Sequence, residues 1–157
     1  MSEETEVSVP PMIRQSQIIQ ELSTLLPERV SGEWVALTLT ERSLSMYGQG
    51  EMHAKRPNGA WESVRAPRSK NDLLKELRAL MYRPGSGTWF STTWTVTKSA
   101  TGESALDVTF NYDKEPDWTR PVRPFNYVLD LEDFPRDDEH IPEWLRQKIT
   151  EGKGEAQ

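Results

Sequence analysis

The sequence predicts an α+β fold: a single domain with a mostly antiparallel sheet and helices packed on one face, in the order α-βββ-α-ββ-α. Three observations carry this expectation. Residues 11–26 and 70–82 repeat apolar side chains at helical spacing, while several other stretches alternate apolar with polar residues, as half-buried strands do. The strand-like stretches also follow one another across short turns, which argues hairpins and not a doubly wound parallel sheet. A length of 157 residues suits one domain, and chains near that size bury roughly two-thirds of their unfolded surface. Six Trp, four Phe and four Tyr offset a modest apolar fraction of 35%.

Each element has a local reason. Residues 1–10 read as a disordered tail, polar and acidic and ending at Pro10. The first helix spans roughly Pro11 to Leu26, opened by a proline whose missing N–H costs nothing there and stopped by Pro27. Its stripe of Ile18, Ile19, Leu22, Leu25 and Leu26 is expected to pack on a sheet, a dimer face being the other use. Trp34 to Arg42 reads as the first strand, with Val35, Leu37 and Leu39 alternating with Ala36, Thr38 and Thr40. Leu44 to Lys55 is the second, in which Gly48 and Gly50 are expected to mark a bulge. Asn58-Gly59 supplies a tight turn into a third strand, Trp61 to Val64.

Lys70 to Tyr82 is the second helix, with Leu73, Leu74, Leu77, Leu80 and Met81 as its buried stripe. Ser69 with Asp72 resembles a capping box at its start. After the break at Pro84–Gly87, Thr88 to Ser99 is rich in Trp, Thr, Phe and Val, residues that suit a pleated sheet. A turn at Ala100–Gly102 leads into a last strand, Ser104 to Asp113. An irregular, proline-broken acidic segment follows, and Asp137 to Leu145 reads as the opening of a final helix. The folded domain is expected over residues 11–149, with 150–157 a second disordered tail.

Charge gives the sharpest functional lead. From Asp113 to Glu143 there are ten Asp or Glu against four Lys or Arg, a local balance of −6 that equals the balance of the whole chain. An exposed acidic ledge with nearby aromatics suits a basic protein partner, and the expected contact residues are Asp113, Glu115, Asp117, Trp118, Asp133, Asp137, Asp138 and Glu139. The alternative is that these acids only keep the protein soluble and that Trp118 packs in the core. An acidic chain is disfavoured as a nucleic-acid binder, where Lys and Arg must neutralise phosphates. No stretch approaches the ~20 apolar residues of a membrane span, and the acidic N-terminus lacks the apolar core of a secretory signal. The expectation is a cytoplasmic protein without a membrane partner.

Chemistry is harder to find. The chain has no cysteine, which excludes disulfides and thiol nucleophiles. Asp137, Asp138, Glu139 and His140 cluster metal-ligating atoms, but adjacent residues rarely converge on one ion, and acids before a helix complement its positive end. A triad would need His53 or His140 beside a strained Ser, and no G-x-S-x-G elbow exists to supply it. The glycines at 48, 50, 85 and 87 fit no phosphate loop, and the aromatic strand around Trp94 lacks the interleaved cations of a base-stacking platform. No enzymatic activity and no cofactor is expected.

The pattern does resemble a known group. Trp94 with its strand, the run Phe110, Asn111, Tyr112, Asp113, and the ending from Tyr127 through Arg136 to Ile141 and Trp144 resemble the YezG-like immunity family, in its actinobacterial branch, over roughly residues 12–148. The resemblance implies an intracellular antitoxin that neutralises the C-terminal toxin domain of a secreted polymorphic toxin by occlusion, without catalysis. It supplies no active site, and the acidic ledge rests on charge alone. A second reading, from another class, is a small-ligand binding module with a pocket between sheet and helix.

Overall fold

Hydrophobic periodicity places one helical layer on a five-stranded antiparallel sheet. The structure, a computed structural model, describes residues 9–155. Its strands are β1 (Ala36–Leu44), β2 (Tyr47–Lys55), β3 (Trp61–Val64), β4 (Ser91–Lys98) and β5 (Ser104–Asn111), in the spatial order β3-β2-β1-β4-β5. The helices are α1 (Pro11–Leu25), α2 (Lys70–Leu80), α3 (Phe125–Asp133) and α4 (Glu143–Glu155). The α+β class and hairpin succession are as the sequence predicts.

Register explains why the core forms where it does. Leu37 stands opposite Ala54 and Val96, and Leu39 opposite Met52 and Trp94, so one parity of three central strands faces the helices. Ile18, Leu22 and Leu26 from the α1 stripe and Leu74 and Leu77 from α2 close over that face. Trp89 and Trp94 are fully buried within it. A second, smaller core lies at one end of the sheet, where Leu44 and Phe90 meet Tyr127 of α3 and Leu145 of α4. The opposite sheet face is hydroxyl-rich; Thr93, Thr97 and Thr109 on it are exposed. No helix among the described residues is long and apolar enough to cross a membrane.

Five expectations are corrected. The stretch read as irregular contains α3, which starts directly after Pro124, a residue suited to a helix start, and ends before Pro135. Ser69 makes no side-chain cap and already has helical dihedrals, so no capping box forms. Asp138–His140 form a short 3-10 turn, and the last helix begins at Glu143, later than expected. That helix runs on to Glu155, so the C-terminal tail expected from residue 150 is helical as far as the structure describes it. Gly152 explains this docking: it is buried, and a Cβ there would come within 2.7 Å of the Pro124 carbonyl oxygen. Gly48 and Gly50 mark no bulge, because Ser43 and Glu41 pair opposite them in unbroken register. Residues 1–8 of the expected N-terminal tail lie outside the described residues.

Candidate functional site

The acidic segment is held in place by one buried cation within it, Arg136. Arg136 follows Pro135 at the end of α3 and turns inward, its side chain 1% exposed. The guanidinium donates to the backbone carbonyls of Tyr112, Thr88 and His140, and lies 3.3 Å from the Asp113 carboxylate. Burial pulls its pKa down, and Asp113 opposes that shift. One side chain therefore ties the end of β5, the loop before β4 and the 3-10 turn together. Gly85 and Gly87 make the close approach workable: both have positive φ, and a Cβ on Gly87 would collide with Arg136 Nε. Asp137 then docks by donating its N–H to the Gly85 carbonyl at 2.7 Å.

Seven of the eight expected contact residues are exposed carboxylates: Asp113, Glu115, Asp117, Asp133, Asp137, Asp138 and Glu139. Cations of α4 reach two of them, Arg146 at 2.8 Å from Asp138 and Lys148 at 3.8 Å from Glu115. Arg136 links Asp113 to the turn that carries Asp138 and Glu139. No hydrogen bond or ion pair joins the side chains of Asp117, Asp133 or Asp137 to this network among the described residues, and Asp133 instead lines a cleft beside α2. The local charge is also smaller than the count implies, because Asp130 is buried and paired with Arg78.

Trp118 is the eighth, and its placement corrects the idea of a free aromatic anchor. Its ring packs against Tyr47 at 5.5 Å between centroids, and its indole N–H donates to the Tyr127 hydroxyl at 2.9 Å. Burial pushes the Tyr127 phenol up to about 12. The neighbouring chain is pinned by Gln49, whose side-chain oxygen accepts from the Thr119 N–H and hydroxyl and whose nitrogen donates to the Arg120 carbonyl. Trp118 thus holds the acidic segment against the sheet.

Sequence reading missed a buried ion pair between the sheet and α2. Glu41 lies on the same parity as Leu37 and Leu39, facing the helices, and receives a 3.0 Å hydrogen bond from Lys70 at the start of α2. Both are buried. Gly50 stands opposite Glu41, and a Cβ there would come within 2.9 Å of Lys70 Nζ, so glycine makes room for the pair. The available signal was a charged residue at an apolar-parity position facing a glycine. These residues wall a cleft of about 590 Å³ between the β1–β2 hairpin and α2, also lined by Met46, Leu74 and Phe134.

Burial raises the Glu41 carboxyl pKa, and Lys70 and Arg42 only partly offset it. The folded protein then holds this proton more tightly than the unfolded chain does. The associated stability is complete at low pH and falls as pH rises from the ordinary carboxyl range through the raised value. Urea titrations between pH 4 and 7 should show that decline, and Glu41→Gln should remove it. A wild-type and variant difference that is flat in pH would overturn the assignment.

No known family matches the chain, and no curated protein matches it in sequence.

Proposed function

We propose that this protein is a cytoplasmic immunity protein that binds the C-terminal toxin domain of a cognate secreted polymorphic toxin and neutralises it by occlusion, without catalysis. The observation that carries this reading is the set of exposed carboxylates from Asp113 to Glu139 held on a segment clamped by the buried Arg136. A rigid acidic rim suits a basic partner, such as a nuclease domain, because preset charge speeds encounter without an ordering cost at binding. Half-buried aromatics behind the rim, Trp118 and Trp144 among them, stiffen it. Neither nucleic acid nor membrane is a partner in this reading.

The test is association kinetics with the proposed cognate toxin domain. Reversing Asp117, Asp133, Asp137 and Asp138 to Lys should slow association about tenfold or more at low salt and flatten its salt dependence, the range in which electrostatic steering acts. Normal folding with an unchanged association rate would overturn the reading.

The cleft favours a second reading, a small-ligand binding module. Its volume of about 590 Å³ falls within the roughly 300–1,000 Å³ of ligand pockets, and the Glu41–Lys70 pair supplies polar groups on an apolar wall. Native mass spectrometry of the purified protein decides it: a bound small molecule that Gly48→Trp expels supports this reading, and a bare chain rejects it.

A further inference from the structure

The two edges of the sheet are treated differently. β3 closes one edge with only four residues, and its Glu62 is held by Arg56 at 2.9 Å. β5 closes the other with eight residues, Ser104–Asn111, that contain no proline, glycine or lysine and no bulge-forming insertion. Proteins commonly blunt an exposed edge with such features, because unpaired backbone groups there template another strand. No strand pairs with the outer side of β5 among the described residues.

The register shows which groups are free. Beyond the turn, where Ser99 N–H donates to the Glu103 carbonyl and Gly102 takes positive φ, β4 and β5 pair in step from Thr97 with Ala105 to Thr93 with Thr109. Antiparallel ladders bond at every second residue. The odd residues Ala105, Asp107 and Thr109 therefore bond to β4, while Ser104, Leu106, Val108 and Phe110 turn their N–H and C=O groups outward. None of these four makes a backbone hydrogen bond outside the sheet. Their side chains lie on the helix-facing parity, where Leu106 is 37% exposed.

Charge decides what kind of strand fits. From Glu103 to Asp113 every charged residue is acidic: Glu103, Asp107 and Asp113. A second copy paired antiparallel about the strand centre would set Asp107 against Asp107, a like-charge contact that disfavours it. The strand also runs directly into the acidic rim at Asp113. We propose that β5 is a docking edge for an extended segment of the protein partner, one that alternates apolar residues with Lys or Arg and adds to the sheet as a further strand. The proposal rests on the immunity reading for the identity of that partner. Main-chain bonds to the four outward residues give affinity, the apolar parity covers Leu106 and Val108, and a cation opposite Asp107 sets register and specificity.

The probe is an acetylated octapeptide alternating Val and Lys, N-methylated along one edge so that it cannot pair with itself. Amide hydrogen exchange followed by NMR should show Ser104, Leu106, Val108 and Phe110 exchanging quickly in the free protein. Saturating peptide should slow them about tenfold or more and leave Ala105, Asp107 and Thr109 unchanged. Leu106→Pro removes one outward N–H at a position where an edge strand tolerates proline, and should abolish the response with the fold retained. Asp107→Lys should shift the preference to a Val–Glu peptide. Outward amides already protected in the free protein, or unchanged at millimolar peptide, would overturn the proposal. If Leu106→Pro binds the toxin domain normally while the four charge reversals slow it, the edge fails and the immunity reading stands. If the peptide docks but the toxin domain does not bind, the edge stands and that reading fails.

Discussion

Asp130→Ala should destabilise the fold by about 3–5 kcal/mol, the range for removing one partner of a buried ion pair. Asp130 sits in α3 and Arg78 in α2, with both side chains 4% exposed. Arg78 forks onto the two carboxylate oxygens, and its Nε donates to the Trp89 carbonyl at 2.7 Å. Asp130 also accepts from the N–H and hydroxyl of Ser45, in the turn between β1 and β2. The alanine variant strands a guanidinium between two aromatic rings, Phe90 and Phe134, with its charge unmatched. Asp130→Asn keeps the shape and should fall between the two. The paired change Asp130→Leu with Arg78→Met should recover much of the loss, because apolar replacement of a whole buried pair is often neutral. Denaturant unfolding measures all three. A loss below about 1 kcal/mol for Asp130→Ala would show the pair to be solvated, as surface pairs are.

This pair also shows where sequence reading stops. α1 and α2 were legible because Ile18, Leu22 and Leu26, and Leu74 and Leu77, repeat at one helical face. The strands were legible because Leu37 and Leu39 alternate with threonines. α3 was not, because Tyr127, Val128, Leu129 and Leu131 form a nearly continuous apolar run without a clean stripe. Asp130 within it looks like one more surface acid. Its partner lies 52 residues away, and no local pattern announces a contact at that separation. The acidic site was legible as exposure, since seven of its carboxylates do face solvent. Its internal structure was not: Trp118, chosen as an anchor, is consumed by Tyr47 and Tyr127, and the organising residue is a cation. Likewise Gly50, which reads as a weakness in β2, accommodates Glu41 and Lys70 on the helix-facing side of the hairpin. Periodicity reports which side chains are buried by layers, but it is silent on polar groups buried by each other.

Replacing Arg136 should therefore affect both stability and the candidate site. Arg136→Met keeps most of the apolar stem and removes every donor. The carbonyls of Tyr112, Thr88 and His140 then lose their partner, and a buried acceptor left unpaired costs roughly 1–3 kcal/mol. A total near 3 kcal/mol is expected, since Asp113 is exposed and rehydrates freely. In a domain of this size that is a drop of roughly 6–12 °C in melting temperature. Arg136→Lys should recover only part of it, because one ammonium cannot fork across three carbonyls from three separate segments. Gly87→Ala should resemble Arg136→Met, as its Cβ would displace the same guanidinium and its φ of +96° is strained for alanine. Asp113 and the turn carrying Asp138 and Glu139 lose their shared support when the clamp goes, so Arg136→Met should slow toxin-domain association at temperatures where the variant is still folded. The Asp113 carboxylate remains exposed and charged in the variant, which separates support from charge. A variant that melts like wild type would show that water replaces the guanidinium at all three carbonyls. One that melts early but associates at the wild-type rate would show that the rim needs no clamp to work.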